Sequence, residues 1–92
     1  MKAYSLQTAA NQGASFENAL AVDVSGSDWT DASSDEFYPT HITVNVSGDV
    51  KMDLRETAAS VTVYLTQGVV YGMRPIKIYQ TGTDASGIVV WK

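Results

Sequence analysis

His41-Ile-Thr-Val-Asn-Val-Ser-Gly-Asp-Val-Lys-Met-Asp-Leu54 is the stretch whose reading decides the fold. Apolar residues recur at every second position: Ile42, Val44 and Val46, then Val50, Met52 and Leu54. Thr43, Asn45, Lys51 and Asp53 stand between them. A period of two is the pattern of a strand with one buried and one solvated face. Ser47-Gly-Asp49, between the two runs, reads as a hairpin turn in which glycine takes a positive φ without steric cost.

The same pattern extends in both directions. After a turn over Arg55 to Ala59, Val61, Val63 and Leu65 alternate with Thr62 and Tyr64. Asp53 to Ser60 holds helix formers, but it is short and framed by strands. Thr66-Gln-Gly68 is a turn, and Val69 to Tyr71 is an apolar run stopped by Gly72. Pro75 lacks an amide donor and marks a strand start or an edge, followed by Ile76 and Ile78 alternating with Lys77 and Tyr79. Thr81-Gly-Thr83 is a corner and Ile88 to Trp91 a closing strand. Upstream, Leu20, Val22 and Val24 suggest a strand within Phe16 to Val24, and Ser25-Gly-Ser-Asp28 a turn. Asp31 to Glu36 reads as a solvated acidic loop, anchored by Trp29 on one side and Phe37-Tyr38 on the other. Residues 1–14 are small and polar and read as an extended arm or a frayed terminus. The expectation is an all-β fold, a small antiparallel sandwich of about seven strands, jelly-roll or Ig-like. Residues 15–92 would form its single domain.

Composition bounds what such a domain needs. A chain of 92 residues buries only about 60% of its unfolded surface, and domains of this size call on disulfides, metals or partner subunits. Cysteine is absent and His41 is the single histidine, so disulfides, thiolate metal sites and histidine-based metal sites are excluded. Oligomerisation is the support that remains. Only 17% of residues are charged against 45% apolar, which points to uncharged surface covered by further copies, or to one rich in Ser and Thr. The net charge is −4 and no Lys/Arg cluster exists, which argues against nucleic acid. No apolar run has signal-peptide or membrane-spanning length, so the expected life of the protein is synthesis in a cytoplasm and use without secretion.

The chemistry-bearing residues favour structural readings. A nucleophile needs a base within reach, and His41, the one imidazole, opens a strand. Asp31, Asp35 and Glu36 are the candidate acid–base carboxylates, yet Asp28 to Glu36 lacks the spacing of a calcium loop. Gly82 and Gly87 have neither the lysine nor the following helix of a phosphate cradle. No catalytic residue, metal or cofactor is expected. Tyr64 and Tyr79 fall on the polar phase of their strands and face outward, either as interface anchors or as ordinary cross-strand tyrosines.

Val46-Ser-Gly-Asp-Val50, Gly68, Pro75-Ile-Lys-Ile78 and Thr81-Gly-Thr-Asp-Ala-Ser-Gly-Ile88 resemble, in order and spacing, the head spike base proteins of phages and gene-transfer agents. The resemblance runs from His41 to Trp91, a little over half the chain. Upstream, the longer acidic loop Ser25 to Glu36 departs from the Pro, Ser and Asp that family members often carry there. The resemblance implies a virion protein without enzyme activity, located on the capsid surface as decoration, cement or the base of a spike or fibre. Its implied partners are the major capsid protein, a spike or fibre protein, and copies of itself as a trimer or pentamer. Tyr64, Tyr79 and Trp91 are the expected contacts between copies, and Tyr4 and Leu6 those of the arm. Two alternatives stand beside this reading. One is a carbohydrate- or receptor-binding module using exposed Trp29 and Tyr38. The other is a tail or neck connector.

Overall fold

Seven strands form, six of them on segments expected as strands and one, at Trp29, that was not, in a computed structural model that describes residues 16–34, 36–57 and 59–92. They are β1 (Ala19–Val22), β2 (Trp29–Thr30), β3 (His41–Thr43), β4 (Gly48–Leu54), β5 (Val61–Leu65), β6 (Pro75–Ile78) and β7 (Ile88–Trp91). A short 3-10 turn, Ala32–Ser34, follows β2. All ladders are antiparallel. One sheet has the order β1-β7-β3 and the other β2-β6-β4-β5, so the expected all-β architecture of two sheets is present. The expected arm, with Tyr4 and Leu6, lies outside the described residues.

The buried phases of the two sheets meet in one core. Ile42, Ile88 and Val90 come from the three-stranded sheet, and Val50, Met52, Leu65 and Ile78 from the four-stranded one. Burying a side chain of this kind contributes about 1.5–3 kcal/mol, so this alternation supplies the main driving force for stacking the sheets. β7, the closing strand of the sequence, is the centre of its sheet. Pro75 is fully buried as the first residue of β6, an interior strand, where its missing donor breaks no established ladder. The register between β4 and β6 shifts after Asp53, so that Leu54 pairs with Pro75 and Ile76 is the extra, bulged residue.

The expected hairpin at Ser47–Asp49 is not there. β3 and β4 lie in different sheets, and the chain crosses between them. The alternation breaks after Val44: Asn45 leaves the strand and Val46 is 53% exposed, held only by an isolated bridge to Ser86. Gly48 is a buried strand residue, and it is glycine for a reason other than positive φ. A Cβ there would meet the backbone nitrogen of Ala85 at 2.7 Å. The close approach lets the Asp49 carbonyl accept two consecutive amides, from Asp84 at 2.7 Å and Ala85 at 3.2 Å. Around it, Thr83 Oγ1 accepts from the Lys51 amide at 3.1 Å, and Gly87, at φ 63°, abuts the Asn45 side chain. The corner and turn expected at Gly82 and Gly87 are present, with Gly82 at φ 95°. They bring the segment 81–88 down onto the 44–51 crossing.

Gly48→Ala drives a methyl group into backbone. It should cost about 1–3 kcal/mol in urea unfolding, whereas Gly26→Ala, with open space around it, should stay within about 0.5 kcal/mol of wild type.

Candidate functional site

The outer face of the four-stranded sheet is where the expected contact residues Tyr64 and Tyr79 project. They stand in different circumstances. Tyr79 is half-buried, and its hydroxyl donates to both carboxylate oxygens of Asp53 at 3.0 Å. The ammonium groups of Lys77 and Lys51 lie 4.6 and 4.9 Å from its ring centroid, and Lys77 also approaches Asp28 at 3.7 Å. The hydrogen bond to Asp53 pushes the Tyr79 phenol above its usual value, with desolvation and the carboxylate charges acting in the same direction. Tyr79 is thus committed to a polar network within its own chain. Tyr64 is 63% exposed and pairs across the ladder with Asp49.

Trp91 lies on the other sheet and is likewise engaged. Its indole Nε1 donates to Thr43 Oγ1 at 2.9 Å, and its ring packs on Phe16 with centroids 5.3 Å apart. His41 meets the same Phe16 ring edge-on at 4.9 Å, and its Nδ1 is 2.8 Å from Thr40 Oγ1. The imidazole is a half-buried strand-start residue locked into an aromatic cluster.

The acidic loop departs from the sequence reading at one residue, while Ala32, Ser33 and Glu36 are exposed as expected. Asp31 is 4% exposed, not solvated. Its carboxylate accepts the Tyr38 amide at 3.1 and 3.2 Å, and its carbonyl accepts the amides of Ser34 and Glu36. Glu36 and Tyr38 adopt φ of 55° and 56°, so the backbone is strained on either side of buried Phe37. Asp31 holds that conformation and plants Phe37 in the core. Tyr38 is exposed, its hydroxyl donating to Glu36 at 2.9 Å and its ring covered by the Arg55 guanidinium at 4.8 Å. That hydrogen bond raises the Tyr38 phenol above its ordinary value. Trp29 is 7% exposed, with its Nε1 donating to Ser34 Oγ. It is therefore part of the core, and the expected sugar platform of exposed Trp29 and Tyr38 does not form. Asp35 lies outside the described residues.

A groove of about 360 Å³ opens beyond the end of β1, lined by Val22, Val24, Gln80, Thr83, Ala85 and Ile88. Gln80 Nε2 donates across it to the Ser25 carbonyl at 3.0 Å. Among the described residues its only titratable side chain is Asp23, held below the usual carboxylate value by hydrogen bonds from Ser25. A single carboxylate among the hydroxyls of Ser25, Thr83 and Ser86 is not an acid–base pair. Among the described residues no group of three His, Cys, Asp or Glu side chains is placed to hold a metal ion. What the surface offers is a recognition chemistry of exposed Tyr64, hydroxyl-bearing neighbours and sheet edges. No family model matches the chain, and no curated protein or solved structure matches it either.

Asp31→Ala leaves the Tyr38 amide without its acceptor beside strained backbone, and should cost about 1–3 kcal/mol in urea unfolding. The Tyr79 phenol is raised in the folded state, so its share of stability is complete below its ordinary value of 10.0 and is lost as pH rises through the folded-state value. Tyr79→Phe should flatten that part of the alkaline stability curve, read by circular dichroism across a pH series.

Proposed function

We propose that this chain is a structural virion protein of a tailed phage or phage-like particle, attached to the outside of the capsid. There it decorates or cements the shell, or forms the base of a head spike or fibre. The observation that carries the reading is the meeting of the segments behind the resemblance. Val46–Val50 and Thr81–Ile88 interlock through the doubly accepting Asp49 carbonyl, the tight Gly48–Ala85 approach and the Val46–Ser86 bridge. Motifs that are separate in sequence thus form one structural unit, as expected of a shared fold rather than of scattered coincidences.

The surface chemistry supports the same reading. Tyr64 offers a large amphipathic contact that loses little entropy on burial. The low charge fraction suits a protein whose surface is covered in an assembly. The mechanism is adhesion: copies bury surface against one another and against the major capsid protein, and no bond is made or broken.

Cryo-electron microscopy of particles from cells expressing the tagged chain tests this directly. The expected result is regular density on the outer face of the head at the capsid's symmetry positions. Density confined to the tail or neck would replace the reading with that of a connector, and particles free of the chain would overturn it.

A further inference from the structure

Each sheet has two edges, and the chain treats them differently. An uncovered edge presents unpaired backbone donors and acceptors, which proteins commonly blunt by shortness, charge, proline or cover. β2 is two residues long and runs into the buried Asp31. β1 is four residues long and runs into Asp23, whose carboxylate turns the chain by accepting the Ser25 amide. β3 is capped by Tyr71, which exchanges two backbone hydrogen bonds with Ile42 at 2.9 and 3.0 Å. Among the described residues, β5 carries none of these devices. It is five residues long, Val61-Thr-Val-Tyr-Leu65, without charge, proline or bulge. Outside its ladder with β4, no backbone hydrogen bond reaches these residues among those described.

The sequence on either side of β5 is equally uncharged, and across the ladder its outward residues Thr62 and Tyr64 meet one charge of each sign, Lys51 and Asp49. From Thr57 to Met73 there is no Lys, Arg, Asp or Glu. A chain of net charge −4 repels its own copies over most of its surface, so this stretch is where two copies meet at least electrostatic cost. The strand also complements itself. Antiparallel pairing about a two-fold axis at Val63 sets Val63 against Val63, Val61 against Leu65, and Thr62 against Tyr64. Such β-branched and aromatic pairs stabilise sheets, and a two-fold contact of this kind closes on itself.

We propose that β5 is a docking edge for β5 of a second copy. The two four-stranded sheets join there into one continuous antiparallel sheet, with Thr62 and Tyr64 of each copy side by side on the outer face. The inference deepens the self-association part of the virion reading, but its argument comes from strand chemistry and stands apart from capsid attachment.

Sedimentation velocity of the full chain, with hydrogen exchange of the β5 amides, tests it. Wild type should be a dimer at micromolar concentration with protected Thr62 and Tyr64 amides, the two that point away from β4. Both outward positions are exposed, so Thr62→Glu/Tyr64→Glu and Thr62→Lys/Tyr64→Lys should each fold. Each places like charges opposite one another twice, and should weaken the dimer by roughly a hundredfold. An equimolar mixture of the two variants should dimerise again. A monomeric wild type would overturn the proposal, and Thr62 and Tyr64 amides protected in that monomer would show the edge covered from within the same chain. Dimers or larger oligomers that survive both variants would overturn it too, since copies would then meet elsewhere. Dimers without capsid binding count against the virion reading alone. Capsid binding by a chain that stays monomeric in solution counts against this inference alone.

Discussion

One carbonyl oxygen ties the two sheets together. Asp49 is the second residue of β4, the longest strand of the four-stranded sheet, and its oxygen takes the amides of both Asp84 and Ala85. Those residues lead into β7, the central strand of the other sheet. The approach is possible only because Gly48 has no side chain, since any Cβ there falls within contact of the opposing backbone. A second glycine completes the fit: Gly87, in the left-handed region, turns the chain against Asn45. With this junction in place, β4 and β7 are fixed relative to each other, and the core residues Val50, Met52, Ile88 and Val90 follow from strand phase. Buried polar backbone must be paired somewhere, and here the pairing also sets how the layers meet.

Strand phase is the part of this molecule that reads directly from the amino-acid order. Val50 and Met52, Leu65, and Ile88 and Val90 lie in the core as a two-residue period requires. The failures share a cause. Glycine serves both where φ is positive and where two backbones touch, and the letter does not distinguish them. Gly48 was therefore expected to turn a hairpin, whereas Gly68 and Gly82, the glycines of real turns, were placed correctly. Asp31 was expected in solvent because a carboxylate among carboxylates usually is. Asp31 is buried with the Tyr38 amide facing its carboxylate, a contact seven residues along the loop that residue type alone does not announce. The aromatics on either side of the loop were the available signal: Trp29 and Phe37 are both buried, as anchors should be. Tyr79 faces outward as its phase demands, but Asp53 and two lysines from neighbouring positions in the sheet occupy it, a consequence of register.

These distinctions reorder the surface by availability. Of the three outward aromatics expected to join copies, Tyr79 and Trp91 are hydrogen-bonded within the chain, and Tyr64 is the exposed one. It sits on the edge strand that lacks charge and, among the described residues, cover. The corner 81–88, which carries the resemblance to capsid-attached proteins, is an internal brace. Its glycines and Thr83 serve geometry, which leaves contact chemistry to the sheet edges and outer faces.

Native-state hydrogen exchange at the junction tests this account most directly. If the Asp49 carbonyl ties the sheets, the Asp84 and Ala85 amides exchange only through global unfolding, with the same free energy and denaturant dependence as core amides of β4 and β7. Fast exchange of these two amides through local opening, while β4 and β7 stay protected, would contradict it: the sheets would then be held by side-chain packing alone, and the junction would be an ornament of the loop.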